Sequence, residues 1–228
     1  TQLVDGWLHD NGEISLISPQ SERGSRRFWS DPADPVPTIG GAVTSGEPIM
    51  FAGAYDQRET DSTFAGSRPG KALSDRDDVL VYRTQPLSED TELTGQICAE
   101  LYISCDSPDA DIAIKLIDEY PPSEDYPEGF ALNLAHGILR LRFRETFEAP
   151  NPMVADEIYA ISLDTFPTSN LFKAGHRIRI DIAGSNFPHF DINPNSDWRD
   201  STAPSRVAQV TVHSSAEHPS RIVLPIVP

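Results

Sequence analysis

Serines, histidines and acids are numerous enough here for several kinds of chemistry, so their spacing decides what they can do. A hydrolase nucleophile on a strained strand-to-helix elbow is written Gly-x-Ser-x-Gly, because that turn lifts the hydroxyl beside backbone donors. The pentad is absent; its nearest approach, Gly66-Ser67-Arg68-Pro69-Gly70, has the wrong register and carries a proline that suits a loop. His218-Pro219-Ser220 sets an imidazole near a hydroxyl, but its proline implies a turn entering the last strand, and no third group accompanies the pair. His9, His136, His176, His189, His213 and His218 contain neither His-x-His nor His-Glu-x-x-His, which removes the cupin cage and the zinc-protease helix on spacing. Asp191-Ile192-Asn193-Pro194-Asn195-Ser196-Asp197 begins like a calcium loop. Ser196 stands where glycine is wanted, however, and Thr202 where the bidentate glutamate belongs, so an Asx-turn loop is expected. The pairs Asp77-Asp78, Glu89-Asp90 and Glu124-Asp125 lie among turn residues and read as solvated loops. Trp7, Trp29 and Trp198 could stack on sugar rings, which keeps a carbohydrate-binding module as the alternative reading. No catalytic residue, metal site or cofactor is expected.

These residues must be carried by strands. In the run Gln96 to Cys105, Ile97, Ala99, Leu101, Ile103 and Cys105 share one face, the period-two signature of a half-buried strand. The pattern returns at Ile112, Ile114 and Leu116, at Leu139, Leu141 and Phe143, and at Ile178, Ile180 and Ile182. Further strands are predicted at Val79 to Tyr82, Ile158 to Leu163, Val207 to Val212 and Ile222 to Ile226. No multi-turn helical stripe occurs, so the fold class is all-β, a two-sheet β-sandwich of jelly-roll type with long loops. Residues 1–40 differ in character. A hairpin around Asp10-Asn11-Gly12 leads through the polar stretch Ser18 to Ser30 into Asp31-Pro32-Ala33-Asp34-Pro35-Val36-Pro37, and the sandwich is expected from 41 to 228. Three prolines cannot sit in a central strand, so this arm is expected to lie over a surface, that of a neighbouring domain included.

The chain has 228 residues, with 18 Lys and Arg against 35 Asp and Glu, for a formal charge of −17. That charge repels polyphosphate and anionic lipid, so nucleic acid and membrane surfaces are poor partners. The opening Thr1-Gln2-Leu3-Val4 has no initiator methionine or leader and reads as part of a longer polypeptide. Cys98 and Cys105 fall on one strand, roughly 20 Å apart at ~3.3 Å per residue, and cannot bridge. Two such thiols suit a reducing, cytoplasmic setting.

Several blocks, in order, resemble one family. They are Asp31 to Pro37 with Gly40-Gly41, Asp56-Gln57-Arg58, Asp78-Val79-Leu80-Val81-Tyr82, Leu101-Tyr102-Ile103-Ser104 with Pro108-Asp109-Ala110-Asp111, and Lys115-Leu116-Ile117-Asp118. Gly137-Ile138-Leu139-Arg140, Thr168 to Ile178, Ser185-Asn186-Phe187-Pro188 and His218 to Pro225 continue the series. From about Leu8 onward the chain resembles the C-terminal domain of the cocaine-esterase, α-amino-acid ester hydrolase and X-prolyl dipeptidyl peptidase family. The resemblance implies a jelly roll packed on the α/β-hydrolase and cap domains of the same parent chain, which would hold the Ser-His-Asp triad and take a small ester or peptide substrate. It also implies that the loop after the Gly-Gly pair approaches the catalytic domain, so Val43, Thr44, Met50 and Phe51 are the candidate pocket-wall residues.

Overall fold

A computed structural model describes residues 1–41 and 43–228. Thirteen strands form among them: β1 (Gln2–Leu8), β2 (Ile14–Ser15), β3 (Ser25–Ser30), β4 (Val79–Arg83), β5 (Thr91–Gly95), β6 (Cys98–Cys105) and β7 (Asp111–Tyr120). β8 (Phe130–Arg140), β9 (Tyr159–Asp164), β10 (Thr168–Phe172), β11 (Arg177–Ala183), β12 (Ala208–His213) and β13 (Arg221–Ile226) complete the set. Nine lie in one sheet, ordered β10-β5-β13-β6-β12-β3, with β1 and β2 joined through β13 and β9 beside β6. The other four form the sheet β4-β11-β7-β8, and every strand pairing is antiparallel. The fold is the all-β sandwich that the alternation implies. No helix among the described residues is long and apolar enough to cross a membrane.

The period-two residues meet between the sheets. Ile112, Ile114 and Leu116 of β7, Ile178, Ile180 and Ile182 of β11, and Leu80 and Tyr82 of β4 share a core with Leu101 and Ile103 of β6, Val210 and Val212 of β12, and Ile222 and Leu224 of β13. Each fully buried aliphatic side chain here is worth roughly 1.5–3 kcal/mol over an exposed one.

The smaller sheet is covered on its other face too. Residues 31–41 and 43–78 run across it as a third layer, in which Val36, Leu73 and half-buried Ile39 pack on Val79, Val81 and Ala183. This explains why β7 is buried at eight consecutive positions instead of alternating. It also buries charge: Lys115 donates to the Pro37 carbonyl and Gln57 Oε1, and burial pushes its amine down to about 8.

Four expectations change. Ser25 to Ser30 is a strand, β3, paired with β12. β5 and β10 were not expected from alternation and pair with each other. The run Leu139 to Phe143 is not one strand: β8 ends at Arg140 and Leu141–Phe143 is a 3-10 turn, because the Arg142 amide and guanidinium are both drawn to Asp109. The Pro-rich arm lies on its own domain. Val36 N donates to Ser185 Oγ, Phe187 N to the Val36 carbonyl and Thr38 N to the Phe187 carbonyl.

Candidate interdomain face

The Gly40-Gly41 pair turns the chain out of the arm. Both glycines have positive φ, 63° and 110°, and a Cβ on Gly40 would stand 2.5 Å from the Gly53 carbonyl oxygen. That closeness lets Gly41 and Gly53 exchange two 2.9 Å backbone hydrogen bonds, closing a loop that carries residues 43–51 outward.

Along this loop the apolar side chains point to solvent. Val43 is 38% exposed, Ile49 43%, Tyr55 46% and Phe64 40%, while Met50 is buried beneath them. Ile49, Met50, Phe51, Tyr55 and Phe64 line a groove of about 330 Å³, with Thr38, Ile39 and Gly40 as its floor. The Phe51 and Tyr55 rings lie 6.2 Å apart and Phe64 lies 5.9 Å from Phe187. The concavity is rimmed by Thr60, Ser62 and Thr63, and apolar patches with a polar rim occur at interaction faces and at ligand-binding grooves.

Of the four residues named from the sequence, Met50 and Phe51 line the groove and Val43 stands exposed in the same loop. Thr44 serves the turn instead: its hydroxyl donates to the Met50 carbonyl at 2.7 Å and accepts from Gly46 N at 2.9 Å. Ile49, Tyr55 and Phe64, and Phe187 packed against Phe64, were not anticipated. They come from two distant stretches of chain, and no local pattern links them.

Beside the groove lies a neutral polar patch. The His136 ring packs edge-on against Phe166 and His189, with centroids 5.3 and 4.6 Å away, and it lies directly under Gly41. Burial, with His189 and Lys115 adding, pushes His136 down to about 4, and burial likewise lowers His189. Neither ring nitrogen of buried His136, nor the side chain of Asn133, has a hydrogen-bond partner among the described residues. Burial thus favours the uncharged form of both rings, which lowers the desolvation cost of covering this patch with an apolar neighbour.

The rejected chemistries have structural explanations. Ser220 is fully buried, donating to the His213 carbonyl and accepting from Tyr102 N. In the Asp191 to Asp197 loop, Asp191 takes Arg140, Asn193 donates to Asp109 and Asp111, and Asp197 takes Arg199. Asn195 N closes an Asx turn on Asn193 Oδ1. His176 Nδ1 pairs with Asp118 at 2.8 Å at the sandwich end.

The family model described as the X-Pro dipeptidyl-peptidase C-terminal non-catalytic domain matches residues 26–223. The cocaine esterase of Rhodococcus sp. (strain MB1 Bresler) is 39% identical over 203 residues, which are 88% of this chain and 32% of that protein. Two solved structures superpose with a TM-score of 0.80. An aminopeptidase from a marine sediment Thaumarchaeota archaeon is 28% identical and aligns over 100% of this chain and 37% of its own. An α-amino acid ester hydrolase is 29% identical over 98% of this chain and 36% of its own. The chain thus spans about a third of the length of these relatives, and it belongs to the X-Pro dipeptidyl-peptidase C-terminal, non-catalytic domain family of CocE/NonD-type hydrolases.

Proposed function

We propose that this chain is the C-terminal domain of a serine hydrolase of the acyl-esterase or X-Pro dipeptidyl-peptidase type. Its 38–64 face packs on the α/β-hydrolase and cap domains of the same polypeptide and helps wall their substrate pocket. The observation that carries the reading is the exposed groove of Ile49, Met50, Phe51, Tyr55 and Phe64, in a domain whose relatives have about two further thirds of chain. An apolar wall beside a catalytic serine excludes water and selects the acyl group. The substrate is a small ester or peptide, taken by the whole enzyme.

The carbohydrate-binding alternative is weaker. Trp7 lies under Arg221, and Trp198 under Arg142 and Arg199, which leaves Trp29 as the one strongly exposed indole among the described residues.

The test is Phe51→Asp in the full-length hydrolase. A carboxylate in an apolar interface loses hydration without gaining a partner, so kcat/KM is expected to fall roughly tenfold or more. Leu16→Asp, at an apolar residue exposed elsewhere, should leave it unchanged. Equal kinetics in the two variants would refute the assignment.

A further inference from the structure

On the opposite side of Asp56 and Arg58 lies a larger groove, about 710 Å³, where the ends of β4, β7, β8 and β11 meet the 70–75 loop. We propose that it binds a small aromatic carboxylate, held by Arg177 and resting on Tyr120 and Phe130. The proposal does not depend on the hydrolase reading.

Cross-strand pairing places Arg177 of β11 opposite Glu119 of β7, a register in which the two would ordinarily form an ion pair. Glu119 is already taken. Its oxygens accept from Arg83 Nε at 2.9 and 2.7 Å and from Arg179 Nη1 at 3.1 Å, and Arg179 also forks onto Asp181. Arg177 keeps one hydrogen bond, from Nη1 to the Thr84 carbonyl at 2.7 Å, and has no carboxylate within ion-pair distance among the described residues. That bond fixes the guanidinium while most of its donors stay unclaimed, which is a pre-organised fork for a planar carboxylate.

Charge and shape narrow the ligand. Within the lining Arg83 pairs with Glu119, and Arg179 with Glu119 and with Asp181 behind it, so Arg177 and Lys71 against Asp75 are the lining charges without an ion pair among the described residues, an excess of one positive charge in a chain of −17. Arg58 is spent on Asp56 and Glu128. A single excess charge suits a monoanion better than a phosphate dianion. Beside it the Tyr120 and Phe130 rings, 5.6 Å apart and tilted at 55° to each other, and Pro121 and Pro122 offer apolar edges for a ring to pack against.

Benzoate titrated calorimetrically into the purified chain at low salt is the test. It should saturate one site with a Kd of roughly millimolar or tighter. Benzyl alcohol and inorganic phosphate should each bind at least tenfold more weakly. Losing a charge-assisted hydrogen-bonding fork weakens binding roughly ten- to hundredfold, so Arg177→Met, checked for an unchanged melt, should raise Kd by that factor. In the unsubstituted chain, benzoate ring protons should give NMR cross-relaxation to Tyr120 and Phe130. The proposal is overturned by an absence of saturable binding, by benzyl alcohol or phosphate binding as well as benzoate, by an affinity unmoved in folded Arg177→Met, or by cross-relaxation to other residues.

Discussion

The purified chain is expected to cleave p-nitrophenyl esters and X-Pro chromogenic peptides no faster than a buffer blank, whereas the full-length hydrolase should exceed that blank by roughly a millionfold or more. Among the described residues, two hydrogen bonds join a serine hydroxyl to a histidine ring. Ser15 Oγ and His9 Nε2 are 2.9 Å apart, but that hydroxyl also donates to the Ile17 carbonyl. Ser104 Oγ is 2.9 Å from His213 Nε2 across neighbouring strands β6 and β12. A catalytic serine also needs a group that orients its histidine and a pair of donors for the oxyanion. Among the described residues no carboxylate bonds to His213, and Ser104 is a buried residue of extended strand β6 without an elbow turn. Turnover abolished by Ser104→Ala or Ser15→Ala would contradict this account.

Arg76→Ala is expected to lower unfolding stability by about 3–5 kcal/mol, the cost of breaking a buried ion pair from one side. The Arg76 side chain is 1% exposed and ties together the layer that carries the candidate face. Its guanidinium forks onto Asp78 at 2.8 and 2.7 Å, donates to the Asp34 carbonyl at 2.8 Å, and lies 3.5 Å from Glu59. Burial works against this charge, but the three carboxylates outweigh it and raise its pKa. Glu59 is equally buried, and its Oε1 has no hydrogen bond. Without Arg76 it becomes a buried charge with one amide, Arg68 N, as partner. Urea denaturation measures the loss. Arg76→Lys should cost less, because it keeps the charge and loses only the fork; a loss below about 1 kcal/mol in the alanine variant would show that the layer is held by apolar packing alone.

How legible each part was depends on how many core side chains it contributes. β6, β7 and β11 each send three or more aliphatic residues into the core, and their alternation is plain in the sequence. β3, β5 and β10 bury one large side chain each, Phe28, Leu93 and Phe172, so no period can be read from them; backbone pairing with neighbours defines those strands. β8 hides its pattern for another reason. Its register shifts at Leu134, where Leu116 pairs with Ala135 but Ile117 with Asn133. The Pro-rich arm was legible only as a chain laid over some surface, because nothing local reveals that Ser185 and Phe187 lie beside Val36. At the face, the Gly-Gly turn and the Met50-Phe51 pair were visible. Phe64 and Phe187 come together beside them only once the third layer is laid over the sheet.

The central claim, that residues 38–64 face the hydrolase domain, is tested most directly by amide hydrogen exchange in the isolated chain and in the full-length hydrolase. The core strands β6, β7 and β11 should exchange equally slowly in both, since their protection comes from the sandwich itself. Residues 43–55 and 62–66 have few strand partners of their own and should exchange quickly in the isolated chain and at least tenfold more slowly in the whole enzyme, where a typical interdomain interface covers about 600–1,500 Å². Equal exchange of these residues in both proteins would contradict the account.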